Sequence, residues 1–319
     1  MATYLGIDAG GTGTRALAWE YPARTWKEAD HGVPASLSSV AEDRVLEPLT
    51  QVARQVLGTE GPADVAFVGA AGCVTEADRA WIAAGLKRAE VARRVIVHHD
   101  AYTAWMGATA PSLDGVLVVA GTGSSVFTRD AADHEILVGG YGYRFGDEGG
   151  GADLGREALR AASAEEDGYG PSSSLRMRIL NRLRVRSMRQ VMVMARTREA
   201  RWLAGFAPLL LEAADAGDSV ALAILRHRLD LLARQITAAA VASGKTPGEP
   251  VTLYGAGGLM SSRRYCDQLR QGLSAIWGSG SSLRTAERTA LHGALLAALA
   301  ADGLSLNDVL AHWPQAAGS

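Results

Sequence analysis

Residues 4–15 of the chain read YLGIDAGGTGTR. An apolar run ends at Asp8, a loop of glycine and threonine follows, and a second alternating run begins at Thr14. The pattern predicts two strands joined by a tight turn. Glycines in such a turn bring backbone N–H groups together, which suits phosphate oxygens, and Asp8 is placed to hold Mg²⁺ through water. A glycine-rich hairpin without a ligand is the alternative.

Two common phosphate motifs do not fit this loop. No Gly-Lys-Ser/Thr ending follows the glycines, as a P-loop requires. A strand rather than a helix follows the turn, whereas the dinucleotide-binding fingerprint needs a helix there. The loop therefore predicts a different type of phosphate site.

The same theme returns about 110 residues later. An apolar run over residues 115–120 precedes the loop Gly-Thr-Gly-Ser-Ser at 121–125, and a further strand is predicted over 126–128. The two copies predict a clamp, with one loop from each domain closing on a triphosphate. A third glycine cluster, residues 255–258, follows a predicted strand over 251–254 and would let a flat base lie against the backbone. A plain strand-to-helix turn explains this third cluster equally well.

The remaining periodicity predicts a mixed α/β chain. The region from 153 to 242 is mostly helical in pattern, and residues 290–301 form a last apolar helix. Thr75 is a candidate N-cap. The other predicted strands cover residues 3–8, 14–21, 25–31, 64–69, 95–99 and 134–139, and the other predicted helices cover 40–57, 76–89, 101–108, a helix beginning at Leu154, and 304–313.

Composition limits the classes of function. The chain has 319 residues, 48% of them hydrophobic, which is enough for two domains. Its net charge of −2 argues against a general nucleic-acid or anionic-membrane role. Cys73 and Cys266 lack metal-ligand spacing, which suits a reducing compartment. No signal peptide or membrane span is evident in the pattern, so a cytoplasmic location is expected.

The residues His98, His99 and Asp100 end a predicted strand and begin a helix. The helix dipole favours the ionised form of a carboxylate there. Asp100 can be the cap of the helix, or it can be a general base that takes a proton from a substrate hydroxyl during phosphoryl transfer. Adjacent strand residues point to opposite faces, so a shared metal ion on His98 and His99 is disfavoured.

The most unusual stretch is GGYGYRFGDEGGG at residues 139–151. Its tyrosines offer aromatic faces beside the carboxylates of Asp147 and Glu148. Aromatic faces can stack on the CH face of a sugar, and carboxylates accept hydrogen bonds from its hydroxyls. The stretch therefore predicts a sugar site, with a glycine-rich flexible lid as the alternative.

Taken together, these motifs resemble the acetate/sugar kinase, Hsp70 and actin superfamily. More narrowly, they are similar to the BadF/BadG/BcrA/BcrD ATPase family, which includes N-acetylglucosamine and glucosamine kinases. The resemblance runs from GIDAGGT to TALHGALLAAL and rests on DAGGT, HDA, AGTGSS and GYGYRFGDEGGGADLGREAL. It implies a two-domain α/β actin-like ATPase (ribonuclease H-like) fold with an interdomain active-site cleft. The expected domains are residues 1–112 and 113–319, with the last helices able to pack back on the first domain.

The resemblance also implies the chemistry: ATP with Mg²⁺ phosphorylates the 6-hydroxyl of N-acetylglucosamine or glucosamine. Asp100 is the implied base and a sugar ligand, and Asp8 the implied magnesium residue. The residues implied to bind ATP are Gly10, Gly11, Thr12, Gly121, Thr122, Gly123, Gly205, Gly257 and Gly258. The other residues implied to bind the sugar are Ser36, Ser124, Ser125, Gly140, Tyr141, Gly142, Tyr143 and Asp147.

Two departures from the family pattern leave the sugar open. Ser36 stands where such kinases often have Asn, and Tyr141 where Trp is common, so N-acetylmuramic acid and glucose stay alternatives. An ATP-driven activator of a radical dehydratase is a second class, but Cys73 and Cys266 lack the arrangement that its iron–sulfur cluster needs. A sugar-responsive regulator and a catalytically silent sugar-binding protein are further alternatives. A homodimer is the default expectation.

Overall fold

The computed structural model describes residues 1–11, 13–23, 26–37, 41 and 44–313. The chain divides into two compact units, one formed by Met1–Asp114 with Ala286–Ser319 and the other by Gly115–Thr285. Each unit contains one five-stranded sheet. Among the described residues, no helix combines the length and apolar content that crossing a bilayer requires.

The described residues form ten strands and twelve α-helices. The strands are β1 (Ala2–Ala9), β2 (Thr14–Tyr21), β3 (Trp26–Asp30), β4 (Ala63–Ala70), β5 (Ala92–His99), β6 (Val116–Ala120), β7 (Ser124–Arg129), β8 (Glu135–Gly139), β9 (Val251–Ala256) and β10 (Ser281–Thr285). The helices are α1 (Leu46–Leu57), α2 (Glu76–Arg88), α3 (Asp100–Thr109), α4 (Gly151–Glu166), α5 (Ser174–Leu183), α6 (Met188–Ala195), α7 (Ala200–Ala204), α8 (Ala207–Asp215), α9 (Ser219–Ala242), α10 (Arg263–Trp277), α11 (Ala290–Ala301) and α12 (Leu306–Ala311).

The first sheet has the order β3-β2-β1-β4-β5. Strand β1 is antiparallel to β2 and parallel to β4, and β4 is parallel to β5. Leu5, Ile7 and Ala9 alternate along β1 and lie in one buried cluster together with residues of α1 and α2. The carboxyl ends of β1, β4 and β5 therefore meet at one edge of this sheet.

Helices α3 and α11 pack closely on the other face of this sheet because glycines leave room for their backbones. A Cβ built on Gly6 of β1 would lie 2.5 Å from the Leu295 nitrogen of α11. A Cβ on Gly69 of β4 would lie 3.0 Å from the Thr103 Cβ of α3. Between the two helices, a Cβ on Gly293 would lie 2.5 Å from the Gly107 nitrogen and closer still to the Thr103 carbonyl oxygen. The last long helix is thus part of the unit that β1 begins.

The second sheet has the order β10-β9-β6-β7-β8. Strand β6 is parallel to β9 and antiparallel to β7. A large buried cluster joins this sheet to helices α4 to α10, and its largest fully buried side chains are Trp277 and Tyr265. Here too, the carboxyl ends of two parallel strands, β6 and β9, lie side by side.

Most element predictions are confirmed, and the errors have local causes. Helix α11 has the predicted bounds, and Thr75 caps α2 in a capping box with Asp78. The helix predicted over 40–57 begins at Leu46, and Val40 lies outside the described residues. The helix predicted from Leu154 begins at Gly151, where no side chain caps it, so no start signal was present in the sequence. Helix α10 and strand β10 were not predicted.

Substitution of Gly293 by alanine tests the close packing of α11. Alanine is normally the better helix residue by about 0.5–1 kcal/mol, but here its Cβ would meet the α3 backbone. We therefore expect Gly293→Ala to destabilise the protein by roughly 1–3 kcal/mol, the usual effect of overpacking. Urea unfolding followed by circular dichroism measures the change.

Gly272→Ala in α10 is the matched control. The nearest atom to its new Cβ would be Asp230 Oδ1 at 3.1 Å, the end of a side chain that can move. We expect this variant to be neutral or slightly stabilised. Equal stability of the two variants would contradict the packing described for α11.

Candidate functional site

Unit 1 brings Asp8 and Asp100 to the same edge of its sheet. Asp8 lies opposite Gly69 of β4, and Gly69 lies opposite His98 of β5. With neighbouring strands ~4.8 Å apart, the Cα atoms of Asp8 and His98 are separated by roughly 10 Å. Asp100 follows two residues later as the first residue of α3. The negative charge of Asp100 contributes to raising the pKa of Asp8, in agreement with this proximity.

Asp8 forms an ion pair that the sequence analysis did not identify. Its Oδ2 lies 2.8 Å from Arg15 Nη2, and its side chain is only 14% exposed. Burial is the main cause of the raised pKa of Asp8, and the Arg15 guanidinium opposes it. Arg15 is the direct cross-strand neighbour of Asp8 in the β1–β2 register, so a correct hairpin register would have predicted the pair.

The Asp8 site is compatible with a water-mediated magnesium ion. Arg15 occupies only one of the two carboxylate oxygens in the hydrogen bonds of the described residues. No group of three or more His, Cys, Asp or Glu side chains suited to a metal ion occurs within the described part of the chain. A single carboxylate suffices in sites where Mg²⁺ keeps its waters and binds substrate phosphates.

Asp100 is not the cap of its helix. The N-cap of α3 is His99, whose Nδ1 accepts a hydrogen bond from the Ala101 N–H at 3.1 Å. The same nitrogen lies 2.8 Å from Asp100 Oδ1, so a proton on Nδ1 would be donated to that carboxylate instead. The Asp100 side chain is 36% exposed and remains accessible to a substrate. Capping is therefore excluded as the explanation for Asp100.

The two histidines have separate environments. The His98 ring stacks on Phe67 with centroids 5.3 Å apart and lies 4.6 Å from the ring of Tyr102. His99, in contrast, contacts the Ala101 N–H and the Asp100 carboxylate. This separation agrees with the expectation that adjacent strand residues point to different sides.

The other predicted residues of unit 1 lie near the ends of β1 and β4. The Gly10 N–H donates to the Gly13 carbonyl at 3.0 Å, which closes the turn, and Thr12 lies outside the described residues. Gly11 is described within this turn and is exposed. Ser36 is fully buried, and its hydroxyl donates to the Ala71 carbonyl at 2.9 Å. A sugar contact by Ser36 stays a prediction.

In unit 2, the loop 121–123 is held by the first turn of α4. The Gly121 N–H donates to the Gly123 carbonyl at 2.9 Å, which makes the turn tight. The N–H groups of Gly151 and Ala152 donate to the carbonyls of Gly121 and Thr122, both at 2.8 Å. Two of the free N–H groups at the start of α4 are thereby satisfied.

The predicted nucleotide-binding glycines of unit 2 lie close together. Gly257 has φ +97°, and a Cβ there would lie 2.7 Å from the Ala120 carbonyl carbon, so the turn after β9 touches the loop after β6. A Cβ on Gly151 would lie 3.1 Å from the Ala204 Cβ, which places Gly205 beside the same loop. Apart from the adjacent residues in the chain, no atom of the described residues lies within 4 Å of a Cβ built on Gly121 or Gly258. These two positions face open space that a ligand can occupy.

The predicted sugar-binding residues of unit 2 also meet. The Gly140 N–H donates to the Ser124 carbonyl at 3.1 Å, and the Ser124 hydroxyl donates to the Glu148 carbonyl at 2.8 Å. Asp147 Oδ1 accepts from the Gly142 N–H at 3.0 Å. A Cβ built on Gly140 would lie 3.2 Å from the Ser125 Cβ, so Ser125 borders the same segment.

The aromatic side chains of this segment differ in their accessibility. Tyr141 is 72% exposed, so its ring is available for stacking. Tyr143 is half-buried, and Arg144 lies over its ring at 5.8 Å from the centroid. Of the two, Tyr141 is the better placed to receive a sugar face.

Asp147 is strained and buried. Its φ is +61°, its exposure is 8%, and a Cβ on Gly123 would lie 2.9 Å from its Cγ. Burial raises the pKa of Asp147, and the Gly142 N–H opposes this only in part. Left-handed backbone at a non-glycine residue is characteristic of functional sites, where the surrounding structure compensates for the strain.

A buried ion triad holds the segment 143–149 against α4, and the sequence analysis did not find it. Asp153 is fully buried and accepts from Arg228 Nε and Nη2 at 2.7 and 2.9 Å and from Arg156 Nη2 at 2.5 Å. Asp153 also accepts from the Gly149 N–H at 2.9 Å, and Arg156 Nη1 donates to the Tyr143 carbonyl. The Asp153–Arg156 spacing of three residues was visible in the sequence, but Arg228 is 75 residues away.

Gln235 of α9 is a further residue that the sequence analysis missed. Its Nε2 donates to Glu148 Oε2 at 2.7 Å. Its Oε1 is buried without a hydrogen-bond partner among the described residues. The Gln235 amide therefore fixes the Glu148 carboxylate next to Asp147.

Both cysteines have raised pKa values. Cys73 is fully buried, and burial raises its pKa to about 11. Burial also raises the pKa of Cys266, which is half-buried. Thiolates are the metal-binding form of cysteine, so neither environment favours ligation of an iron–sulfur cluster.

Glycine-lined loops after parallel strands, repeated on two five-stranded sheets, define an α/β protein with the actin-like ATPase (ribonuclease H-like) fold. The chain belongs to the BadF/BadG/BcrA/BcrD ATPase family, whose model matches residues 5–299. Both the predicted fold class and the family resemblance are confirmed.

Proteins with similar sequences to this chain are named as sugar kinases. It is 28% identical to the N-acetylmuramic acid/N-acetylglucosamine kinase of Clostridium acetobutylicum, over 59% of this chain and 62% of that protein. It is 28% identical to the glucosamine kinase GspK of Vibrio cholerae, over 71% and 76%. A solved Chromobacterium violaceum structure, provisionally named an N-acetylglucosamine kinase, has a TM-score of 0.74 at 24% identity and covers 93% of this chain and 98% of its own.

Removal of Arg228 tests the ion triad. Arg228→Met removes the arginine that donates two hydrogen bonds to the fully buried Asp153. Loss of one partner of a buried ion pair typically lowers the free energy of unfolding by about 3–5 kcal/mol. We expect a large drop in the free energy of unfolding, together with faster proteolytic cleavage within residues 143–149. Arg226→Met, at an exposed position two residues earlier on α9, is the control and should change neither measurement. Similar losses in both variants would contradict the role of the triad.

Asp147→Asn tests the buried carboxylate through pH. Because the folded-state pKa of Asp147 is raised from 3.8, its contribution to stability is complete below the unfolded pKa and is lost as the pH rises through the folded value. The neutral amide keeps the Oδ1 acceptor for the Gly142 N–H. We expect the variant to have a higher Tm than the wild type at neutral pH, by about 2–4 °C for each 1 kcal/mol of added stability. The difference in Tm should shrink toward pH 4. A difference that grows on acidification would refute the assignment.

Proposed function

We propose that this chain is an ATP-dependent amino-sugar kinase that transfers the γ-phosphoryl group of ATP to the 6-hydroxyl of N-acetylglucosamine or glucosamine. The observation that carries the proposal is the position of Asp100. Its accessible carboxylate lies at the same edge of the sheet as Asp8. The family model matches residues 5–299, which include both glycine loops. The names of the relatives support the substrate class.

Unit 2 supplies the backbone groups for the nucleotide in this proposal. The Thr122 and Gly123 N–H groups of the loop donate to the phosphate oxygens, while the Gly121 N–H closes the turn and the first turn of α4 binds the carbonyls of Gly121 and Thr122. Gly257 and Gly258, with Gly205, border the base and ribose. Open space at Gly121 and Gly258 supports this assignment, because a side chain at either position would fill it.

Unit 1 supplies the charged groups. The Gly10 N–H closes the turn, and the N–H groups of Gly11 and Thr12 donate to phosphate oxygens. Asp8 would hold Mg²⁺ through water, while Arg15 keeps the carboxylate oriented. The ion, when bound, offsets the negative charge that develops on the phosphoryl oxygens. Asp100 accepts the proton of the 6-hydroxyl as that oxygen forms its bond to the γ-phosphorus and ADP leaves.

The sugar is recognised by the segment 140–147 together with Ser124, Ser125 and Ser36. The exposed ring of Tyr141 stacks on the sugar, and Asp147 accepts from a hydroxyl. The ion triad of Asp153 keeps the segment in place. We keep in the proposal the domains 1–112 and 113–319, with the last helices packing back on the first domain, a homodimer, and a cytoplasmic location, where ATP and magnesium are abundant.

Asp100→Asn tests the proposed base. We expect turnover to fall by about 10²–10⁴, the range typical for loss of a general base, while sugar affinity changes by less than roughly tenfold. ADP release is measured with ATP, Mg²⁺ and a panel of N-acetylglucosamine, glucosamine, N-acetylmuramic acid and glucose. N-acetylglucosamine or glucosamine should turn over best.

The control is Asp114→Asn, an exposed aspartate at the end of the first segment of unit 1. It should keep wild-type turnover. Full activity of Asp100→Asn would remove Asp100 from the mechanism, and absence of sugar-dependent ADP release in the wild type with every sugar would overturn the proposed function.

A further inference from the structure

Residues 174–201, here called the arginine-rich segment, carry an unusual local charge. They include nine arginines and a single acidic residue, Glu199, a formal charge of +8 in a chain whose net charge is −2. The segment covers α5, α6 and the beginning of α7. Nothing in the proposed kinase mechanism uses it.

Most of these arginines are exposed and have no ion-pair partner within the described part of the chain. Arg176 lies 3.7 Å from Glu165, Arg178 lies 3.4 Å from Glu212 and Arg189 lies 3.5 Å from Asp167. The six exposed arginines without such a partner are Arg182, Arg184, Arg186, Arg196, Arg198 and Arg201. Unpaired like charges repel one another, so their concentration does not stabilise the fold.

Exposed apolar side chains lie among these charges. Met188 and Val191 of α6 are buried, whereas Met192 and Val193 of the same helix are about half exposed, as is Met177 of α5. The segment contains no aromatic residue. Exposed aliphatic groups with surrounding arginines suit the boundary of an anionic bilayer, where the charges meet headgroups and the side chains leave water.

We propose that the arginine-rich segment docks this protein peripherally on an anionic lipid surface. The net charge of −2 argues against a general affinity for anionic membranes but not against docking by one local segment, because acidic residues farther away than the Debye length of about 8–10 Å are screened. A nucleic acid fits less well, since base stacking requires aromatic side chains that the segment lacks. No spanning helix is needed for such docking.

The test is cosedimentation with vesicles of phosphatidylcholine containing about one third phosphatidylglycerol, compared with pure phosphatidylcholine. The full-length wild type should bind only the anionic vesicles and should be released between about 0.1 and 1 M salt, where the Debye length falls to about 3 Å. This measurement uses only the wild type, so its result does not depend on whether a variant folds.

Two charge-matched variants locate the surface. The first replaces four arginines of the segment by glutamine, Arg182, Arg184, Arg186 and Arg198, and should lower vesicle binding at least about tenfold. The control replaces four exposed arginines outside the segment, Arg54, Arg88, Arg226 and Arg234, and should leave binding within about twofold. Met192→Gln combined with Val193→Gln should weaken binding even at low salt.

Three results would overturn the proposal: no binding of the wild type to anionic vesicles at low salt, equal losses in the two charge-matched variants, or binding to a mixed-sequence RNA without binding to vesicles. The vesicle assay contains neither ATP nor sugar, so a negative result does not bear on the proposed kinase activity. In the same way, absence of kinase activity would not bear on vesicle binding.

Discussion

Close backbone packing at glycines is the constraint on which the candidate site depends. In unit 1, Gly6 and Gly69 let α11 and α3 lie directly on β1 and β4, and Gly293 lets the two helices touch. Asp100 is the first residue of α3, so the position of that helix decides where its carboxylate lies. A side chain at Gly69 or Gly293 would meet atoms of α3 and so displace that helix, and Asp100 with it, whereas one at Gly6 would displace α11.

Three buried aspartates show how charge compensation differs across the molecule. Asp153 has two arginines and a backbone N–H, Asp8 has one arginine, and Asp147 has a single backbone N–H. The pKa is raised at Asp8 and Asp147, because burial there exceeds the compensation. Asp153, which has the most partners, is structural, whereas Asp8 and Asp147, which have one partner each, are those proposed to meet a metal ion and a sugar.

The sequence predicted features that depend on neighbouring residues and missed contacts between residues far apart in the chain. Local signals such as the Thr75 cap, the strand ends and the glycine loops were predicted, because neighbouring residues determine them. Arg228 and Gln235 were missed, because their contacts to Asp153 and Glu148 span 75 and 87 residues. Ser36 was assigned to the sugar by analogy, and only the structure shows its hydroxyl bonded to the Ala71 carbonyl.

By itself, the sequence determined most of the elements, the family and the residue types at both loops, since apolar periodicity and glycine spacing are local properties of the chain. The tertiary structure alone decided which carboxylates are buried, which arginines compensate them and that His99 rather than Asp100 caps α3. These properties depend on desolvation and on distances between residues remote in sequence, and a linear pattern contains neither.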